Sequence, residues 1–122
     1  MTLIDKKFSY AVIGASNDPT KYGHIILKDL LNAGYRAIPV NPKGESILGQ
    51  KTYKSIYDIP ERVDVAIFVV PPEVTENILH DIVKKGIKKI WMQPGSESDN
   101  TIAFCEKNGL EFVFGSCIML QK

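Results

Sequence analysis

Three times along the chain a glycine stands just ahead of a short apolar, β-rich run: NAGYRAIPV, KKGIKKIW and KNGLEFVF. The residue after a helix's last turn often takes a left-handed backbone conformation, which costs glycine nothing and a residue with a Cβ something. Gly34, Gly86 and Gly109 are therefore read as helix stops, each turning the chain from a helix into a strand.

The flanking segments agree with this grammar. Ile26, Leu27, Leu30 and Leu31 form one helical stripe, and Val74, Ile78, Leu79, Ile82 and Val83 form another. The strand candidates are Tyr10 to Ile13, Ala37 to Val40, Val65 to Val70, Ile90 to Met92 and Phe112 to Phe114. Each is a near-continuous apolar run, as expected of strands covered on both faces. Alternating strands and helices call for right-handed crossovers and a parallel sheet. The expected fold is α/β: a Rossmann-like three-layer sandwich with about five main strands, in the order 3-2-1-4-5. Between Gly44 and Pro60 the pattern is irregular, with a short strand expected near Thr52 and Tyr53 and a short helix begun by Ser55.

Composition narrows the function. A chain of 122 residues is the size of one domain, here taken as 1–122, with room for one ligand-binding unit. Fifteen Lys and Arg against 14 Asp and Glu give a net charge of +1, which excludes the basic footprint of a general nucleic-acid binder. No run approaches the roughly 20 apolar residues of a membrane span, and the amino terminus lacks signal-peptide form, so a soluble, cytoplasmic protein is expected. Cys105 and Cys117 fit neither a metal-ligand spacing nor a secreted disulfide framework and are read as free thiols, with no metal site.

In a sheet of this kind the loops that follow the strands gather at the carboxyl edge, where ligands bind. The first loop, GASNDPTKYG, runs from Gly14 to Gly23 between a strand and a helix, a place where backbone N–H groups and the helix dipole hold phosphate. Gly14 and Ser16 are its leading candidates, with Asn17 and Lys21 behind them; a plain tight turn would look the same, because the full G-x-G-x-x-G fingerprint is missing. The second loop is Val40-Asn41-Pro42-Lys43. An NAD site usually ends this strand with a carboxylate for the ribose hydroxyls. Lys43 stands there instead, which suits a ribose bearing an extra phosphate, either the 2′-phosphate of NADP or the 3′-phosphate of coenzyme A.

The third loop, Val70-Pro71-Pro72-Glu73, ends a strand and starts a helix. With Pro72 in the first helical turn it makes a rigid apolar wall, suited to packing on a ligand and equally to stopping a strand. The fourth loop is Gln93-Pro94-Gly95-Ser96, ahead of the capping residues Glu97, Ser98 and Asp99. Gly95 permits close backbone approach, and Gln93 offers an amide to an amide-bearing ligand or to the loop itself.

Catalytic constellations are not evident. Ser16 and Ser96 have no neighbouring base, His24 begins the first helix near the phosphate loop, and His80 lies mid-helix on a polar face. Cys105 is expected in the core, whereas Cys117 follows the last strand and is expected at the ligand edge.

Taken together, GAS after the first strand, PVNPK after the second, the stretch ILGQKTYKSIYDIPERVDVAIFVVPPE, WMQPGS and a Cys-containing terminal segment resemble the small stand-alone CoA-binding proteins, from about Phe8 to Cys117. That family is similar to the amino-terminal nucleotide-binding domain of the succinyl-CoA synthetase α subunit. The resemblance implies that Gly14, Ala15 and Ser16 meet phosphate, and that Asn41, Pro42 and Lys43 flank the adenosine. It further implies that Val70, Pro71 and Pro72 line the adenine side and that Gln93 to Ser96, including Gly95, border the pantetheine arm. Many relatives carry Arg or Lys where this chain has Val69-Val70-Pro71-Pro72, a departure that removes one expected phosphate contact and resembles the synthetase pattern.

The synthetase's further domain, with its phosphorylated histidine, has no counterpart in 122 residues. The resemblance therefore implies a coenzyme A or acyl-CoA binding protein that is not itself an enzyme, with an acyl-CoA enzyme as a candidate partner; the oligomeric state stays open, exposed Tyr and Phe residues being suited to a homodimer. Cys117 would stand within reach of the CoA thiol for a mixed disulfide. Two rival readings are an NADP-linked oxidoreductase and an interaction subunit with a vestigial nucleotide site.

Overall fold

In the computed structural model, which describes residues 3–122, five parallel strands form one sheet. They are β1 (Ser9–Ile13), β2 (Arg36–Val40), β3 (Val65–Phe68), β4 (Lys89–Met92) and β5 (Glu111–Val113), in spatial order β2-β1-β3-β4-β5. Three helices connect them: α1 (Tyr22–Asn32), α2 (Pro72–Lys85) and α3 (Asp99–Lys107). The architecture is the expected Rossmann-like sandwich. No helix among the described residues is long and apolar enough to cross a membrane.

The apolar runs follow from the two-faced sheet. Successive side chains of a strand point to opposite faces. Ala66 and Phe68 accordingly enter one core with Leu79, Ile82 and Cys105, while Val65 and Ile67 enter the other with Ile26, Leu27 and Leu30. Burying a side chain of this size stabilises the fold by about 1.5–3 kcal/mol, so neither layer is dispensable.

All three glycine stops are left-handed: Gly34 and Gly86 at φ +85° and Gly109 at φ +66°. Ser55 caps a short 3-10 turn over Ile56–Asp58 by accepting from the Tyr57 amide. Ser98 and Thr101 form a reciprocal capping box at the start of α3.

Several details differ from the sequence expectation. The order of full strands is 2-1-3-4-5, not 3-2-1-4-5, because β3 pairs with β1 and lies between it and β4, while outside β2 the segment at Thr52 and Tyr53 adds only a single parallel bridge from Tyr53 to Val40. Tyr53 donates to the Pro39 carbonyl and accepts from the Asn41 amide, and the pairing stops there. Strand β3 ends at Phe68, and Phe114 lies beyond β5, exposed. On α2 the buried face is Thr75, Leu79 and Ile82; Val74 and Val83 lie beside that face, more than a third exposed. An apolar stripe cannot show Thr75, which occupies one of the inward positions.

Candidate functional site

The strand order reverses at β1: the chain moves from β1 outward to β2, then returns to the other side of β1 as β3. A crevice opens at such a switch point on the carboxyl edge. Two glycines shape it. Gly14 leaves β1 at φ +97°, its amide held by the Val40 carbonyl at 3.1 Å, and a Cβ there would lie 2.3 Å from the Val69 carbonyl oxygen. Gly23, the second residue of α1, lies so close to the first loop that its Cβ would sit 1.9 Å from the Gly14 oxygen. The helix start is thereby drawn onto the loop. Among the described residues, the amides of Ala15, Ser16, Tyr22 and Gly23 donate to no protein acceptor, leaving a cluster of donors at a helix amino terminus.

The resulting cleft has a volume of about 820 Å³. Gly14, Ala15, Ser16 and Lys21 line it from the first loop, and Asn41 and Lys43 from the second. Val70, Pro71 and Pro72 enter from the third, and Gly95 and Ser96 from the fourth. At the β2 end a recess of about 200 Å³ adds Asn17 to Ser16, Lys21, Asn41 and Lys43, with the carboxylates Asp18 and Glu45 and the side chain of Ile47 also on its wall. At the other end a recess of about 440 Å³ is lined by Gln93 and Cys117 together with Tyr22, Val69 and Pro94. Pro42 is exposed beside Lys43 and lines none of these three spaces. A separate hollow of about 600 Å³ lies at the opposite, amino edge between the segments 59–64 and 85–89, where the Lys85 ammonium is engaged by the Ile59 carbonyl.

Many of the polar side chains singled out in the sequence fasten the loops together. Asn41 donates to the Ala15 carbonyl at 2.6 Å and accepts from the Lys43 amide at 2.8 Å, tying the second loop to the first. Ser96, 3% exposed, accepts from the Val70 amide at 3.1 Å and ties the fourth loop to the third. Gln93, 4% exposed, accepts from the Ile118 amide at 2.9 Å and donates to the Cys117 sulfur at 3.2 Å, tying the fourth loop to the terminal 3-10 turn Ile118–Leu120. Ser16 accepts from the Asp18 amide, and His24 Nδ1 donates to the Ser16 carbonyl at 2.9 Å.

The β2 end of the cleft carries charges of both signs, two lysines and two carboxylates. Lys21 and Lys43 are both exposed on the recess. The one carboxylate inside the first loop, Asp18, is held below the usual range by hydrogen bonds from the Thr20 hydroxyl and amide. The Asn17 amide reaches Glu45 at 3.4 Å. Of the cysteines, Cys105 is buried and its thiol is pushed up to about 11, mainly by burial, whereas Cys117 is half-buried on the apolar recess.

Sequence reasoning overlooked Gly23, Tyr22, Val69, Met119 and Leu120 as parts of this rim. The signal for Gly23 was present, since it closes the GASNDPTKYG loop just where a helix begins and a residue with a Cβ is ordinarily preferred. The terminal turn carries no comparable motif.

The same fold occurs in known proteins. A conserved hypothetical protein from Pyrococcus furiosus superposes with a TM-score of 0.90 at 48% identity, covering 94% of this chain and 99% of that one. The apo form of a dinucleotide-forming acetyl-coenzyme A synthetase 1 from Ca. Korarchaeum cryptofilum superposes with a TM-score of 0.73 at 29% identity, over 86% of this chain and 25% of that one. In sequence, the α subunit of the ADP-forming acetate–CoA ligase II of Pyrococcus furiosus is 34% identical over 119 residues, covering 88% of this chain and 26% of the subunit. The chain thus spans about a quarter of that ligase subunit. With residues 8–122 matched by the model of the CoA binding domain, the chain belongs to that family.

Proposed function

We propose that this chain is a single domain over 1–122 that binds coenzyme A or an acyl-CoA in the carboxyl-edge cleft and performs no chemistry alone. The observation that carries the reading is the meeting of Lys43 with the Gly14–Ser16 turn on one cleft at the switch point. The free amides of the first loop would take the diphosphate, and Lys43, with Lys21 nearby, the 3′-phosphate. Asn41 and Pro42 would flank the adenosine, and Val70, Pro71 and Pro72 would supply its apolar wall. Asn17 would extend the polar end, while Gly95 and Ser96 would border the pantetheine arm.

The absence of catalysis is supported by how the side chains are used. Ser16 and Ser96 have their hydroxyls turned to backbone amides, and the His24 ring is engaged by a carbonyl, so none forms a nucleophile–base pair. An acyl-CoA-transforming enzyme is the partner that fits, since the ADP-forming relative is a ligase subunit. The two free thiols suit a reducing compartment, the cytoplasm.

Calorimetry with CoA, dephospho-CoA, NADP and NAD tests the reading. CoA is expected to bind tightest, with dephospho-CoA about tenfold weaker, the size of one charge-assisted contact at an exposed site. Lys43→Ala should erase most of that tenfold. Tighter binding of NADP than of CoA would transfer the site to the oxidoreductase class. No binding of any of the four at millimolar concentration would leave an interaction subunit with a vestigial site.

A further inference from the structure

The recess at the β4 and β5 end of the cleft differs in chemistry from the rest. Its walls are Val69, Pro94, Cys117, Met119 and Leu120, with Tyr22 at the lip. Its one amide side chain, Gln93, already accepts from the Ile118 amide and donates to the Cys117 sulfur. An apolar occupant therefore strands no buried polar group there. Tyr22 is 67% exposed and Leu120 81%, so the recess carries an apolar lip that water now covers.

Position identifies the occupant. The strand order lays the loops along the rim in sequence, with Lys43 after β2, Ser16 after β1, Val69 after β3, Pro94 after β4 and Cys117 after β5. At ~4.8 Å between strands, the two ends are about 19 Å apart. The main cleft shares Ser16, Lys21, Asn41 and Lys43 with the polar recess and Tyr22, Val69 and Pro94 with the apolar one. A ligand phosphorylated at one end, amide-bearing in the middle and apolar at the other end matches this gradient. Free CoA ends in a small thiol; an acylated thiol puts hydrocarbon where the apolar walls stand.

Resting on the proposed coenzyme A site, we propose that the apolar recess receives the acyl chain of a short- to medium-chain acyl-CoA, so that the protein holds acyl-CoA in preference to the free coenzyme. The Cys117 thiol, Met119 and Leu120 supply its hydrocarbon-like floor and rim, and Tyr22 closes over the chain.

The test is a calorimetric series of CoA, acetyl-CoA, butyryl-CoA and hexanoyl-CoA on the full chain. Affinity is expected to rise by up to about fourfold for each added methylene, the equivalent of ~0.8 kcal/mol, making butyryl-CoA up to about fifteenfold tighter than acetyl-CoA. Leu120→Asp, at an exposed position where folding is not at risk, should flatten the dependence on chain length, as should Met119→Ala. Equal affinities across the series, or a chain-length dependence unchanged in both variants, would overturn the acyl assignment while leaving the coenzyme A site standing. Failure of every member of the series to bind would instead overturn the coenzyme A site and the acyl recess with it.

Discussion

Gly23 and Gly14 meet across the first loop at a distance that no side chain permits: a Cβ on Gly23 would lie 1.9 Å from the Gly14 carbonyl oxygen. The contact fixes where α1 begins relative to the end of β1, and so where the helix's free amides point. Neither partner has room to yield, because Gly14 is itself wedged against the Val69 carbonyl.

Gly23→Ala therefore separates this contact from ordinary helix propensity. In an unconstrained helix the change stabilises by up to about 1 kcal/mol. Here it is expected to cost more than ~2 kcal/mol, lowering the melting temperature by roughly 8 °C and weakening coenzyme A binding. A melting temperature at or above that of the parent protein would show that the loop can retreat.

Ser96→Ala tests the fastening between the third and fourth loops. It leaves the Val70 amide without its hydroxyl acceptor in a largely buried setting. The expected loss is about 1–2 kcal/mol in urea denaturation, with faster amide exchange at Val70. Unchanged exchange at Val70 would mean that water replaces the hydroxyl at no cost.

Gln93→Leu removes the two bonds from this side chain to the terminal segment, leaving those from Trp91 to the Ser116 carbonyl and between Lys122 and Asp29. The side chain keeps its approximate volume, so the sheet should survive while the Ile118–Leu120 turn loosens. Hydrogen exchange is expected to accelerate at Ile118 and to stay constant along β3. Equal acceleration in both places would indicate general destabilisation instead.

The two cysteines should part company toward reagents. Cys105 is fully buried with its thiol pushed up to about 11, whereas Cys117 borders an open recess. Iodoacetamide at pH 8 is expected to give one adduct per folded chain, at Cys117, by intact mass and peptide mapping. With CoA disulfide, the same sulfur is expected to form a mixed disulfide and release one CoA thiolate. Modification of Cys105 in the folded chain would contradict the burial.

Alkali should weaken the fold for a related reason. Burial raises the Cys105 thiol above its ordinary value near 9.0, and burial likewise raises the Tyr10 phenol above 10.0. Above pH 9 the unfolded thiol gives up its proton while the folded one keeps it, so the unfolded state binds fewer protons and stability falls as pH rises. The contribution is intact below about pH 9 and lost by about pH 11 for the thiol. The urea midpoint should decline across that window, less steeply in Cys105→Val.

Much of the architecture was legible because it is written in local chemistry. Gly34, Gly86 and Gly109 announce left-handed turns, and the two-faced sheet makes its strands continuously apolar. The strand count at the β2 edge was less legible, since pairing at Tyr53 depends on how far a loop can follow Pro39 and Val40. Within the candidate site, Lys43 and Gly14 come together because both end neighbouring strands, which the sequence order implies. The inward turn of Ser96 and Gln93 was not readable, because a hydroxyl or amide in a loop looks the same whether it faces a ligand or the Val70 and Ile118 amides. Val74 and Val83 misled for the opposite reason, as apolar residues at the margin of a helix face whose centre includes Thr75.

The ties from Asn41 to Ala15, from Ser96 to Val70 and from Gln93 to Ile118 have one more consequence. They run from loop to loop with no guest as an intermediary, so the rim keeps its contour when vacant. A visitor then forfeits little disorder on arrival, and most of the gain from contact survives as affinity.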